Sequence, residues 1–496
     1  MLRTSLRRSL VGLVLSLVLV SMFVISPGAT ANASGFAFTS FELGAAPGTD
    51  CPGEGGTSCT NPAAEPQIRG DKEGNFFASS ENGLGAGTDA WRSAPTDNGL
   101  HYTALESPNR TSQTNNTGFA PGGGDTDVAI APQLNSLGNY NVYVASLSLA
   151  NIDVSTSMSE GQSWTLNPVG ALIPGDDREW IAADMVSKVC VSYHDVATFN
   201  IDVNCSYDAG ATFTQLGDAF DPNHLFLIQN NEIGNMVIDP TTHYIYQTFS
   251  GIHDASEVAC SQAGTCGYHT VWMAVSTDGG QHFTDYIVYN NPDTTVSYGH
   301  QFVNVSIDKA GNLYSVYSDN HNIYYSYSTN HGTTWHGNVQ VNKTPSNTAI
   351  FPWSVANGAG HIDIVWYGTS YFKAGTPPDS YPSTAAWYVY MAQNLKATTS
   401  GSSFTQVKAT PIIHYGGVCE GGVSCTGNRD LYDDFGVAVN LRSSSPAYGF
   451  ASIVYSDDQY TNDPNDPPQA GCTTGTTNTI SCNHTSIATQ TSGSKI

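Results

Sequence analysis

STDGGQHF, residues 276–283, sets a serine, an aspartate two places on, a glycine two further and then an aromatic. The order returns as SYDAGATF (206–213), STNHGTTW (328–335) and SMSEGQSW (157–164), and more loosely as PTDNGLHY (95–102). Every part of the string has a local task. The aspartate accepts backbone N–H bonds of its own turn, the glycine supplies a positive φ, the serine closes a second bond, and the aromatic buries between sheets. Asn330 and Ser159 stand where the aspartate stands elsewhere. The position therefore asks for a hydrogen-bond acceptor, not for a reacting group. These strings are folding devices.

Around them the chain alternates in short runs rich in Val, Ile, Tyr, Phe and Thr, broken by Gly, Asn, Asp and Pro, such as YNVYVASLSL (140–149) and HIDIVWYG (361–368). Helical periodicity is nearly absent, so the chain reads as many short strands. The recurring unit is strand, turn, strand, loop, strand, box, strand, the length of one propeller blade. Units begin near Gln67, Asp127, Trp180, Gly234, Phe302, Trp353 and Phe435. In the sixth, Ser403 and Phe404 are all that remains of a box, and in the seventh a loop from Gln459 to Asn483 replaces it. The expected fold is all-β, a β-propeller of four-stranded antiparallel blades, seven in number, or six if the first unit is incomplete.

The five strings resemble the Asp-box (BNR) repeats of the sialidase superfamily, written SxDxGxxW. The resemblance runs through nearly the whole processed chain. It implies a propeller with its box turns on one face and its ligand site on the other, over the central axis, where the innermost strands begin.

The ends and the composition bound the rest. Arg3, Arg7 and Arg8, the apolar stretch Leu10–Ile25 and a small-residue site at 29–33 form a secretory signal peptide over 1–33. Residues 34–64 read as a Gly/Ser/Thr-rich N-terminal segment, 65–491 as one propeller domain and 492–496 as a frayed tail. The formal charge is −25, and three of the 17 basic residues lie in the leader. Such a surface repels nucleic acid and anionic membranes. No later segment is long and apolar enough to span a bilayer, so the product is expected to be secreted and monomeric. The ten cysteines fall into local couples, Cys51/Cys59, Cys190/Cys205, Cys260/Cys266, Cys419/Cys425 and Cys472/Cys482. In an exported chain these read as disulfides, with Cys190 and Cys205 joining neighbouring strands. No metal motif stands out and no cofactor is called for. The acidic run SDDQYTNDPNDPP (456–468) offers oxygens suited to calcium, although a solvated loop accounts for it as well.

The residues before each innermost strand should crowd the ligand end: Glu65 and Gln67; Asp125 and Asp127; Asp177, Arg178, Glu179 and Trp180; Asn231 and Glu232; His300 and Gln301; Phe351 and Trp353; Arg429, Asp430, Tyr432, Asp433 and Asp434. Carboxylates for hydroxyls and flat rings for sugar faces suit a carbohydrate site. The sialidase resemblance implies three arginines for a substrate carboxylate, a tyrosine nucleophile assisted by a glutamate, and an aspartate acid. By role, Tyr432 with Glu232 (or Glu179) and Asp127 or Asp177 would fill the catalytic places. Arg178, Arg429, Asp430, Trp180, His300 and Trp353 would bind substrate. The Arg-Ile-Pro signature of the family is missing, since the local string is PQIRGD at 66–71, and the arginine triad is not carried over. Arg178 and Arg429 serve equally as ion pairs between blades, and the tryptophans equally as packing. Two functions follow: a glycoside hydrolase acting on glycans, or a propeller that binds glycan or protein without catalysis.

Overall fold

Inner strands such as Tyr140–Leu147, Ile362–Thr369 and Thr270–Ser276 are buried along their entire length. They are covered on both faces, which is why their sequences read as near-continuous apolar runs instead of strict alternation. The computed structural model describes residues 29–31, 35–44, 64–109, 122–148, 151–460 and 471–496. It contains seven antiparallel sheets in chain order. Blade 1 begins with Ala64–Gly70, blade 2 with Thr126–Leu134, blade 3 with Asp176–Asp184 and blade 4 with Asn231–Ile238. Blades 5, 6 and 7 begin with Asn304–Ile307, Thr348–Ala356 and Gly436–Val439. Each of these first strands packs against its counterpart in the next blade, and blade 7 against blade 1, which closes the ring. The protein is a seven-bladed β-propeller. Its one α-helix among the described residues is the short Val258–Gln262, and no helix there is long and apolar enough to cross a membrane.

Two boundaries differ from the sequence reading. Blade 7 takes its fourth strand, Ala37–Glu42, from the N-terminal segment, paired to His484–Ser492. The propeller thus starts before residue 65, and closure joins the two ends of the chain. The pairing escapes a local reading because its partners lie hundreds of residues apart. Ala29–Ala31 adds an edge to that sheet, while residues 1–28 of the leader fall outside the described residues. The tail is not frayed either. Ile496 is buried, its N–H donates to the Gly449 carbonyl and its own carbonyl accepts from Asn357 Nδ2.

The box turns all join a third to a fourth strand, and so lie at one end of the ring. In blades 2 to 5 the glycine N–H donates to the serine Oγ, from Gly161 to Ser157, Gly210 to Ser206, Gly280 to Ser276 and Gly332 to Ser328, at 2.8–3.0 Å. A second N–H, four residues beyond the acceptor, donates to Asp208, Asp278, Asn330 or Ser159. The interchangeability of Asp, Asn and Ser is therefore visible as one bond made by three chemistries. In the loose first copy the serine task passes to Ser93, which accepts from Gly99. Gly280 sits at φ +100°, with space for a Cβ only 3.0 Å from Ile245 Cδ1. Gly280→Ala is expected to destabilise the fold by about 1–3 kcal/mol, read as a lower midpoint in urea unfolding. An unchanged midpoint would remove the glycine from the list of required parts.

Cys190 and Cys205 face each other across the second and third strands of blade 3 and are joined. Cys260–Cys266, Cys419–Cys425 and Cys472–Cys482 close surface loops. Cys51 and Cys59 lie outside the described residues.

Candidate functional site

At the end of the ring away from the boxes, a cavity of about 740 Å³ opens over the axis. Its walls come mainly from two kinds of place, the residues entering a blade's first strand and those leaving its second, with blades 2 and 3 supplying both. Antiparallel pairing brings these two to the same end. Asp125, Asp177 and Arg178, Glu232, His300 to Phe302 and Arg429, Tyr432 and Asp433 belong to the first kind; Glu81 to Leu84, Leu147 and His194 to the second, and Glu420 to Gly422 come from a loop outside both.

The strand entries are not regular. Glu65, Arg178 and Phe351 have φ of 47°, 44° and 52°. Each lies where the first strand slips register against the second. Tyr432, ahead of blade 7, has φ 54°. Left-handed backbone at a side chain of this size costs about 1–3 kcal/mol, and bulges of this kind re-aim a side chain. Here they mark the entries to the pocket.

Arg178 is 4% exposed. Its Nη2 donates to Asp434, and its Nη1 lies 3.4 Å from both Glu65 Oε2 and Asp125 Oδ1. The guanidinium lies over the rings of Trp180 (4.0 Å) and Phe302 (4.6 Å). Arg429 Nη2 donates to Glu65 Oε1 at 3.1 Å and to Asp433 Oδ2 at 2.6 Å, and its guanidinium covers the Tyr432 ring. Glu65, fully buried, thus sits between two arginines.

Carboxyl groups of Glu65, Glu81 and Asp125 bring oxygens within 4.8 Å of one another. They do not titrate alike. Burial, then the Asp125 charge, raises Glu81 to about 8. Burial, then Glu81 and Asp125, pushes Glu65 well up. Burial also opposes the charge on Asp125, but Arg178, a hydrogen bond with Glu65 and Arg429 outweigh it and hold Asp125 below the usual carboxylate range. An ionised Asp125 therefore sits beside Glu81, whose carboxyl at about 8 keeps its proton at neutral pH. The trio could ligate a cation by spacing, yet Arg178 already places its positive charge against two of the three. A second cluster, Asp221, His224 and Asp285, lies away from the pocket. There each aspartate accepts the other's backbone N–H, with His224 Nδ1 between them.

Two further carboxyls of the lining, Glu232 and Glu420, form no ion pair among the described residues. Burial, then Asp177 and Asp433, raises Glu232 to about 8. Burial pushes Glu420 well up, and it accepts from the Gln301 amide. The nearby histidines are neutral at physiological pH: burial lowers His300 and takes His194 down to about 4.

Of the residues singled out from sequence, Tyr432, Glu232, Asp177, Arg178, Arg429 and His300 line this cavity. Four do not. Asp127 is buried, paired with Arg69 at 2.8 Å and accepting from the Val128 and Ile181 N–H groups, so it joins blades 1, 2 and 3 in place of serving as an acid. Trp180 and Trp353 are buried and pack against each other, tilted by 32° with ring centroids 5.0 Å apart; they are packing beneath the floor, not sugar platforms. Asp430 is buried on the side of the His414–Asp458 pair. The described part of the 456–468 run is likewise committed to protein, Asp458 to His414 and Asp457 to the Gln459 N–H, and 461–470 lie outside the described residues. Sequence reasoning missed Glu81 and Glu420. Glu81 ends a second strand, and counting strand exits along with entries would have found it. Glu420 comes from a disulfide loop, where no periodicity points.

The buried carboxyls make stability fall with pH. Glu81, Glu232, Asp153 and Asp363 are raised to about 7–8, chiefly by burial. Between their unfolded values and pH 8 the native state holds more protons than the unfolded one, so raising pH destabilises it. His194 and His484, lowered to about 4, act oppositely, but only below their unfolded value near 6.5. Above that the carboxyls act together with His414, whose raised value has the same sign. Calorimetry is expected to give a lower unfolding temperature at pH 8 than at pH 6.5, and a flat or rising profile would contradict the burial of these groups.

No protein-family model matches the chain, and no curated protein matches it. Solved structures similar to it include an α-L-arabinanase of Penicillium chrysogenum complexed with arabinobiose, 11% identical, TM-score 0.44, with 92% of this chain and 98% of that one covered. A protein of unknown function from Dyadobacter fermentans is 11% identical, TM-score 0.45, over 94% and 99%. The NanB sialidase of Streptococcus pneumoniae is 9% identical, TM-score 0.40, over 91% and 70%.

Proposed function

We propose that this protein is an exported glycoside hydrolase, with Glu81 as general acid and Asp125 as its ionised partner. The observation that carries the reading is the pair itself: neighbouring carboxyls on the wall of a deep pocket, one raised to about 8 and the other held low. Environments that push two carboxyls apart in this way assign an acid and a base. Glu81 would protonate the departing glycosidic oxygen. Asp125 would attack the anomeric carbon, and water would then release the sugar with Glu81 acting as base. Their separation, within 4.8 Å between oxygens, fits the retaining spacing of about 5–5.5 Å better than the inverting one of about 6.5–9.5 Å. Tyr432, whose phenol is pushed up by burial and then by Glu81, is read as a binding group.

The binding-only alternative has one observation in its favour, the pairing of both arginines within the protein. A panel of aryl glycosides separates the two. Turnover with retained anomeric configuration, followed by proton NMR, supports the hydrolase; saturable binding without turnover across the panel supports the binder.

A further inference from the structure

Blades 3 and 4 meet at their outer strands through a cluster that the cavity does not use. The segment DPNH, 221–224, follows the fourth strand of blade 3, Gln215–Asp218. Pro222 suits the second place of a tight turn, and the His224 N–H closes that turn on the Asp221 carbonyl at 2.9 Å. The turn brings the Asp221 carboxylate and the His224 imidazole together. Asp285, in the fourth strand of blade 4, Thr284–Asn290, completes a trio. His224 Nδ1 lies 3.1 Å from Asp221 Oδ2 and 3.2 Å from Asp285 Oδ2.

The surroundings fix all three groups. Each Oδ2 also accepts the other aspartate's backbone N–H, at 2.9 and 3.2 Å, and the Asn223 N–H donates to Asp221 Oδ1 at 2.7 Å. The imidazole packs on the rings of Trp272 (5.1 Å) and Phe226 (5.8 Å). The Asp285 side chain is fully buried, and its Oδ1 has no hydrogen-bond partner. Neither aspartate pairs with a lysine or arginine among the described residues. Two buried carboxylates thus converge on one nitrogen, with an oxygen to spare and no cationic side chain to balance them. Zinc holds nitrogen and oxygen at about 2.0–2.2 Å, which sets neighbouring ligand atoms of a tetrahedral site about 3.3–3.6 Å apart. Both nitrogen–oxygen spacings here are already close to that, and the ligand atoms of the trio all lie within 4.8 Å of one another. Calcium asks for about six to eight oxygens, more than the trio offers.

We propose that Asp221, His224 and Asp285 bind a divalent transition ion of the zinc type, His224 through Nδ1 and the aspartates through Oδ2. Asp285 Oδ1, or water on the open side of His224, completes the shell. The ion clamps the outer strands of blades 3 and 4 together, and its role is structural. It stands apart from the glycan reading of the axial cavity.

Protein stripped of metal with a chelator is titrated with zinc chloride by calorimetry. One zinc per chain is expected, not displaced by calcium at the same concentration. Because the ion binds the folded trio and not the unfolded chain, zinc should raise the unfolding temperature. His224→Phe keeps a ring against Trp272 and removes the nitrogen, while Asp285→Asn keeps the shape and removes the charge. Each should weaken zinc binding by at least about ten-fold and cancel the rise in unfolding temperature. His282→Ala, which removes the exposed His282–Asp278 pair, should change neither. Cobalt supplies a readout in the wild type that needs no variant: the intense visible absorption of four-coordinate geometry is expected. The proposal is overturned by the absence of saturable zinc binding, by binding that survives His224→Phe, or by only the weak absorption of six-coordinate cobalt.

Discussion

Glu81→Gln is expected to lower kcat on glycosides with poor leaving groups by about 10²–10⁴-fold, and to abolish the alkaline limb of the pH profile. In the wild-type protein Glu81 must be protonated to act, and its carboxyl is raised to about 8, so kcat should fall as pH climbs through that value. A glutamine neither donates the proton nor titrates, and the limb should go with it. Substrates with activated leaving groups need little protonation and should lose far less, a difference that simple misfolding cannot produce. Asp125→Asn should lower activity on both kinds of substrate. If the alkaline limb persists in Glu81→Gln, the acid lies elsewhere, and Glu232, also raised to about 8, takes the role.

The placement of these groups explains what could be read in advance. Repeats made the fold legible because each box contains its whole reason: Ser276, Asp278 and Gly280 satisfy one another within five residues. The ring of strand entries was legible for the same cause, since each unit announces where its first strand begins. What failed was depth and partnership. Asp127 and Asp177 stand at equivalent distances from their strand starts, yet Asp127 turns into an interblade contact with Arg69 and Asp177 into the cavity. A register slip after Asp177, with Arg178 at φ 44°, decides the difference, and nothing in the local string reports it. Trp180 and Trp353 suffered likewise: an indole suits a sugar face and a packed floor equally, and only the cluster of rings from three blades, Phe302 edge-on to Trp180 and Trp353 tilted against it, settles which. The N-terminal strand Ala37–Glu42 was invisible because its partner is at the other end of the chain.

Arg178→Met is expected to be strongly destabilising. The guanidinium reaches from blade 3 to Glu65 in blade 1, Asp125 before blade 2 and Asp434 before blade 7. Gln67 adds a bond to the same Asp434 oxygen. Methionine keeps much of the volume over Trp180 and Phe302, so the loss is one of charge. Removing one member of a buried ionic group costs about 3–5 kcal/mol, because its partners remain buried and uncompensated. Those partners can escape by taking up protons. Asp434 is at about 6 in the native protein, raised chiefly by burial and held from rising further by Arg178; without the arginine its carboxyl, and that of Asp125, must move up. The variant's native state then binds protons that the unfolded chain does not, and its stability should drop more steeply with pH than that of the wild type. Urea unfolding at pH 5 and pH 7.5 should therefore show a modest gap at the lower pH and a large one at the higher. A gap of equal size at both would mean that Arg178 acts through packing on the two rings and not through charge. Since its ion pairs bridge blade 3 to the junction of blades 7 and 1, where the two chain ends meet in one sheet, their loss should also loosen ring closure. Hydrogen exchange along His484–Ser492 is expected to quicken in the variant before exchange in blades 4 and 5 does.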